Sequence, residues 1–334
     1  MRIAVNTRLL LKDRLEGIGW FTYETLRRLS KAHPEHEFIF IFDRPWDPGF
    51  VFSSNVKPVQ IPLPTRHILL FIPWFEILLP WVLWRQKADL FLSPDGHLSL
   101  CSKVPSVAVI HDLNFEHYPE FVPTMVRWYY RWFFPRFARK AKRIVTVSEF
   151  TRKDIVAQYQ TDVEKIDVAH NGCHQVYEPL EKMQKQQVRL RYSDGKPYFI
   201  FIGLIIPRKN LLRLMLAFDI MKERTGSDIQ LLVVGIRKWW DEEHEKVFSR
   251  MKYKNELRFL GRKNAEELSL LLGSATALTY VPLFEGFGIP ILEAFSAGVP
   301  VITSNVTSMP EVSADAALLV DPFNPQEIAE AMER

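Results

Sequence analysis

At 334 residues the chain is too long for one ordinary domain and predicts two of roughly 150 residues, each able to bury its own core. Hydrophobic residues at 47% and charged residues at 25% exclude a disordered chain, and two cysteines, Cys101 and Cys173, with no partner at metal spacing exclude a disulfide framework or a zinc centre. The formal charge of +4 is unevenly spread: seven basic residues and no acid fall between Glu120 and Glu149, yet no recognition motif accompanies them, so nucleic acid is not an expected partner.

In chain order, Arg2 to Asn6 reads as a first strand that begins at once, with no signal peptide ahead of it, and a reducing cytoplasm is the expected location. Gly19 to Ser30 reads as a helix and Phe38 to Phe42 as a second strand. The most apolar window, Ile68 to Trp84, is interrupted by Pro73, Glu76 and Pro80 and falls short of the roughly 20 apolar residues that span a bilayer. Strands follow at Ser106 to Ile110 and Arg143 to Val147, then a helix from Glu149 to Gln158 capped by Ser148. Glu178 to Lys196 is charged, Gln-rich and poor in apolar periodicity, and reads as a linker between a domain of residues 1–177 and one of residues 197–334.

The second half restarts with a strand at Tyr198 to Ile202 and a helix whose Leu211, Leu214, Phe218 and Met221 recur at spacings of three and four, closed by Gly226. Strands are expected at Ile229 to Val234, Leu257 to Leu260, Ala277 to Tyr280, Val301 to Thr303 and Ala317 to Val320. Strands alternating with helices predict an α/β protein with two parallel, Rossmann-like sheets.

The most specific run is Glu285-Gly-Phe-Gly-Ile-Pro-Ile-Leu-Glu293, placed at a strand-to-helix turn. Gly286 and Gly288 allow close backbone approach to a ligand, and Pro290 suits the first helical position. Glu293, expected in the first turn, can accept hydrogen bonds from two adjacent ribose hydroxyls, while Glu285 can reach a sugar across a diphosphate. Alone, the plainer alternative is that Glu293 complements the helix dipole and Glu285 is a solvated loop charge. At the head of the same half, Gly203 ends a strand and Arg208-Lys209 opens a helix, where backbone N–H groups and two cations suit phosphate; a solvated basic turn is the plainer alternative. In the first half, Gly17-Ile18-Gly19 precedes a helix and His111-Asp112 follows a strand. Gly-x-Gly is also an ordinary turn, and a lone His is often structural.

Taken together, Gly17-Ile18-Gly19, His111-Asp112, Ser148-Glu149-Phe150, Asn171-Gly172, Pro207-Arg208-Lys209-Asn210 and the Glu285/Glu293 pair make the chain resemble family 4 of the retaining nucleotide-sugar glycosyltransferases from Arg2 to Pro325. The resemblance implies the GT-B fold, with two Rossmann-like domains facing each other across a cleft. The first domain would take the acceptor and the second the nucleotide sugar. It implies Glu293 on the ribose, Arg208 and Lys209 on the diphosphate, and Glu285 with the backbone of Gly286, Phe287 and Gly288 on the donor sugar. Gly17 and Gly19 would close over the phosphates and His111 would face the transferring sugar. Catalytic roles thus fall to Glu285, His111, Arg208 and Lys209, and donor contacts add Gly203. Many family members carry Arg just after the glycine equivalent to Gly203; here Leu204 stands there, which leaves the phosphate charge to Arg208 and Lys209.

The resemblance further implies retention at the anomeric carbon and leans to mannose from a guanosine donor. The acceptor would be a glycan or lipid-linked glycan of cell-surface polysaccharide synthesis. The nucleotide-diphosphate sugar is a substrate, and no cofactor is expected. No Asp-x-Asp occurs, so metal independence is expected. The basic, aromatic stretch 127–143, with the apolar segment around Trp74, Trp81 and Trp84, suits an anionic membrane surface on the cytoplasmic side; both read equally as amphipathic helices packed on the first sheet with Arg and Lys stems snorkelling. Resembling proteins continue through a C-terminal helix crossing to the first domain, and this sequence stops inside a helix expected from Pro325. An epimerase of the same fold and a non-catalytic scaffold are the alternatives.

Overall fold

Tyr198-Phe-Ile-Phe-Ile202 is apolar at every position because a parallel strand with helices on both faces has no solvent side; all five residues are buried. The computed structural model describes every residue except Asp13, Glu16 and Lys238, and the chain divides into two units, Met1–His170 and Asn171–Arg334. In the first unit β1 (Arg2–Asn6), β2 (Glu37–Phe42), β3 (Val56–Gln60), β4 (Leu90–Ser93), β5 (Ser106–Ile110), β6 (Arg143–Thr146) and β7 (Ile166–Val168) form one sheet in the order β3-β2-β1-β4-β5-β6-β7. In the second, β8 (Tyr198–Ile202), β9 (Gln230–Val234), β10 (Leu257–Gly261), β11 (Ala277–Tyr280), β12 (Val301–Ser304) and β13 (Leu318–Val320) run β10-β9-β8-β11-β12-β13. Every pairing is parallel. Each unit is the doubly wound, Rossmann-like sheet that the sequence predicts. In each the strand order reverses beside the first strand, between β1 and β4 and between β8 and β11, and ligands bind outside the carboxyl ends of strands at such a point.

Three strands escape the sequence reading for a common reason. β3 carries Pro58 at the sheet edge, β7 has three residues and β4 four, so none shows enough alternation to stand out. The expected linker is corrected as well: Lys182–Ser193 is a helix, opened by a capping box between Glu181 and Gln184. Val188 packs into the core of the second unit, Arg189 Nε donates to the Ser274 carbonyl at 3.0 Å, and the Tyr192 hydroxyl donates to Glu267 at 3.0 Å. Its apolar face is one residue wide for most of its length, too thin to register as periodicity, and the boundary falls at His170/Asn171 rather than after residue 177.

Prolines also fail to interrupt the apolar window. Ile68–Arg85 is one helical run of 18 residues with mean hydropathy 1.6, long and apolar enough by those measures to cross a membrane. A widened π turn, Trp74–Leu78, lies between Pro73 and Pro80 and absorbs their missing donors. Trp74, Phe75, Leu79 and Leu83 are buried in the core of the first unit. Glu76 accepts from the Leu100 and Cys101 amides at 3.0 and 2.9 Å, so one face of the run is built into the unit.

Candidate functional site

At the switch point of the second unit, two loops leave the carboxyl ends of adjacent strands. From β8 the chain passes Gly203 and Ile205 into a 3₁₀ turn, Pro207–Lys209, and then the helix Leu211–Thr225. From β11 it passes Val281 to Gly288 into the helix Ile289–Ser296. Asn210, buried in the left-handed conformation at φ 61°, joins them: its Nδ2 donates to the Val281 carbonyl at 2.9 Å and the Pro322 carbonyl at 2.7 Å. The Leu283 amide donates to the Arg208 carbonyl at 2.8 Å. The cation-bearing turn and the carboxylate-bearing loop are thereby held as one piece.

Their side chains meet at Glu285. Its carboxylate pairs with Arg208 Nη1 and, at 2.6 Å, with Lys209 Nζ, and the residue is only 8% exposed. Arg208 Nη1 also donates to the Phe284 carbonyl at 3.2 Å. Lys209 Nζ donates to the Tyr280 hydroxyl at 2.5 Å and lies 4.9 Å from the centre of its ring. Tyr280 closes β11 fully buried; burial first, and the Glu285 charge next, push its pKa well above the phenol range. The charges of Arg208 and Glu293 also act on this hydroxyl, Arg208 lowering and Glu293 raising its pKa.

Glu293 differs from expectation in one respect. The helix opens at Ile289, which makes Glu293 its fifth residue, past the first turn, so it does not complement the dipole there. Pro290 falls at the second position for the same reason. Burial raises the Glu293 pKa to about 7, with Tyr177 acting in the opposite direction. Between the two carboxylates, Gly288 caps the helix at φ 99°, a conformation that favours glycine, and a Cβ there would lie 2.7 Å from Met309 Cε. The buried Ser308 hydroxyl sits 2.9 and 3.1 Å from the Glu285 and Phe287 carbonyls and fixes the Gly286-Phe287-Gly288 backbone. Gly203 lies against the Lys209 side chain: a Cβ would touch its Cδ at 3.7 Å.

The remaining predicted residues belong to the first unit. Gly17 and Gly19 lie inside the first turn of the helix Gly17–Ala32 rather than before it, and a Cβ on Gly19 would come within 3.0 Å of the Leu9 carbonyl. His111 follows β5; its Nε2 is 2.8 Å from the Pro94 carbonyl, which can only accept, so Nε2 carries the proton and Nδ1 is the acceptor of the neutral ring. Burial lowers the His111 pKa and favours that neutral form.

Sequence reasoning missed a polar cluster at the switch point of this unit. Asn6 Nδ2 donates to Asp95 at 2.8 Å, Arg8 Nε donates to Asp95 at 2.6 Å, and His97 Nδ1 lies 3.4 Å from Arg8 Nη2. Burial alone would raise the Asp95 pKa, but the Arg8 charge, aided by His97, holds it far below the carboxylate range. The available signal was the polar run Asn6-Thr7-Arg8 at the end of the first strand; Asp95-Gly96-His97 follows β4, a strand too short to be read from sequence. Tyr280 and Ser308 gave none, since a Tyr ending an apolar strand and a Ser in a loop look like any others.

Comparison with known proteins agrees in both halves. Residues 15–174 match the family described as Glycosyltransferase Family 4, and residues 182–334 match Glycosyl transferases group 1. The O-antigen chain mannosyltransferase B of Escherichia coli is 30% identical over 329 residues, which cover 93% of this chain and 84% of that protein. Sucrose-phosphate synthase from Thermosynechococcus elongatus superimposes with a TM-score of 0.78 at 16% identity, covering 100% of this chain and 89% of that one. Anabaena HepE, solved with UDP and glucose, superimposes with a TM-score of 0.74 at 16% identity over the same shares.

Proposed function

The chain belongs to glycosyltransferase family 4, and from that premise we propose that it transfers a hexose with retention at the anomeric carbon, from GDP-mannose in first place, to a glycan or lipid-linked acceptor in cell-surface polysaccharide synthesis. The observation that carries this reading is the convergence of Arg208 and Lys209 on Glu285, with Lys209 also on Tyr280, at the carboxyl ends of β8 and β11. The mannosyl donor and the polysaccharide product are inferred from what the Escherichia coli relative is named for.

The chemical task is to stabilise a departing diphosphate while positive charge grows on the sugar ring. Two cations held rigidly at one strand edge do this by preorganised electrostatics, without a bound metal being required. Arg208 and Lys209 take the diphosphate, Glu293 accepts from the ribose hydroxyls, and Glu285 with the Gly286-Phe287-Gly288 backbone takes the hexose. The bond from C1 to the diphosphate oxygen breaks as the acceptor oxygen bonds C1 on the same face, and the acceptor proton passes to a phosphate oxygen. His111, Gly17 and Gly19 keep the roles the resemblance implies for them.

We place the protein in the cytoplasm against an anionic membrane. The helix Thr124–Lys140 exposes Met125, Trp128 (61% exposed) and Trp132 beside Arg131 and Arg139, and the run Ile68–Arg85 exposes Ile77, Trp81 and Trp84 (75%). The two segments are neighbours, with Phe71 and Tyr129 ring centres 5.6 Å apart. Aromatic rings at headgroup depth and cations facing phosphate suit a protein whose acceptor is lipid-linked.

Thermal denaturation with GDP, UDP and their sugars tests the donor assignment. A nucleotide at 100 times its Kd adds about 2.7 kcal/mol, and Lys209→Ala is expected to lose that shift, measured against its own ligand-free Tm, which falls because the buried Glu285 loses one of its two cations. An undiminished shift in the variant rules out the diphosphate contact.

A further inference from the structure

In this structure the two cations assigned to the diphosphate are already engaged. Arg208 and Lys209 are adjacent in one 3₁₀ turn, both largely buried, and a single carboxylate, Glu285, pairs with both. Unscreened, neighbouring buried cations repel and each carries a desolvation cost. Glu285 offsets both, from a loop that Ser308 and Asn210 hold in place. A nucleoside diphosphate, free or in a nucleotide sugar, brings at least two negative charges to the same atoms, so it and Glu285 compete for them.

We propose that Glu285 acts as a stand-in anion: it keeps Arg208 and Lys209 assembled in the donor-free protein, opposes diphosphate binding, and is freed by the arriving diphosphate to accept the hydroxyls of the hexose. The inference rests on the reading that Arg208 and Lys209 take the diphosphate and Glu285 the sugar. It adds a coupling that the reading lacks. A nucleotide sugar satisfies the displaced carboxylate with its hexose, whereas free nucleoside diphosphate leaves it without those partners, in a loop where little water reaches it. Glu285 therefore selects the loaded donor over the spent one and, by recapturing the cations, speeds release of the product. Tyr280, whose hydroxyl receives Lys209 at 2.5 Å, holds the ammonium in place through the exchange.

Isothermal titration with GDP and UDP on wild type, Glu285→Gln and Lys209→Ala decides it. Removing the competing charge should tighten nucleoside diphosphate binding, by about tenfold if the exchange costs one charge-assisted hydrogen bond, and should narrow the preference for nucleotide sugar over nucleoside diphosphate. Unchanged or weaker binding by Glu285→Gln overturns the proposal. Should Lys209→Ala bind as wild type does, or should wild type bind neither nucleotide, the underlying donor reading fails instead. A crystal structure of the wild type with the bound nucleoside diphosphate serves if the Gln variant does not fold. The Lys209–Glu285 contact, 2.6 Å here, should then be broken, and its persistence beside the bound diphosphate overturns the proposal.

Discussion

Glu293 is a carboxylate that burial carries into the neutral pH range. Burial lifts its pKa from near 4.5 to about 7, so the folded protein binds this proton more tightly than the unfolded chain does. Its contribution to stability is therefore whole below about pH 4.5 and is lost as pH rises through about 7. Relative to Glu293→Gln, the wild type is expected to lose Tm between about pH 5 and pH 8, and parallel Tm curves for the two proteins contradict this. Ribose hydroxyls donate best to the ionised carboxylate, so the affinity of wild type for GDP-mannose, whose doubly esterified diphosphate does not titrate there, should rise across the same interval and that of the variant should stay flat. Arg208, Lys209 and Glu285 stood out in sequence because they fall at strand-to-helix turns, and Glu293 because it closes the run that Glu285 opens, although it lies past the first turn of its helix. Their relation to one another did not: Glu285 pairs directly with both cations, and the Tyr280 hydroxyl that also receives Lys209 is in sequence one more aromatic at the end of an apolar strand.

At the scale of elements, the loop 281–288 is set by backbone conformation as much as by side chains. Gly288→Ala places a Cβ at φ 99° against Met309 and should cost about 1–3 kcal/mol in urea denaturation; a loss under a few tenths means the loop relaxes freely. The helix Thr124–Lys140 makes a second prediction. Sedimentation with phosphatidylglycerol vesicles should exceed that with phosphatidylcholine, since each basic residue near an anionic surface adds about 1 kcal/mol. Replacing Trp128 and Trp132 together by Ser should weaken it, and equal binding to both lipids removes the membrane assignment. Elements with a wide apolar face, such as Leu211–Thr225, were readable in sequence to within a residue or two. The helix Lys182–Ser193 was not, because Val188 and Tyr192 alone tie its face to the core, and two prolines that a π turn accommodates hid the unbroken length of the run Ile68–Arg85.

For the whole molecule, two sheets with the same strand order explain why one chain carries two polar clusters, each at a strand reversal. The alternation of strands and helices made this architecture visible from residue types, whereas the edge strands β3 and β7 and the unit boundary depend on packing that no local pattern records. The central claim, a retaining transferase that works without a metal, is tested most directly by incubating the protein in EDTA with GDP-mannose, with and without membrane extract bearing lipid-linked glycan, and following GDP release together with the anomeric proton of the product. The account predicts release that accelerates on addition of the acceptor, persists in EDTA and yields an α-linked mannoside. A β-linked product, a transfer abolished by EDTA, or conversion of the nucleotide sugar alone into its epimer contradicts it.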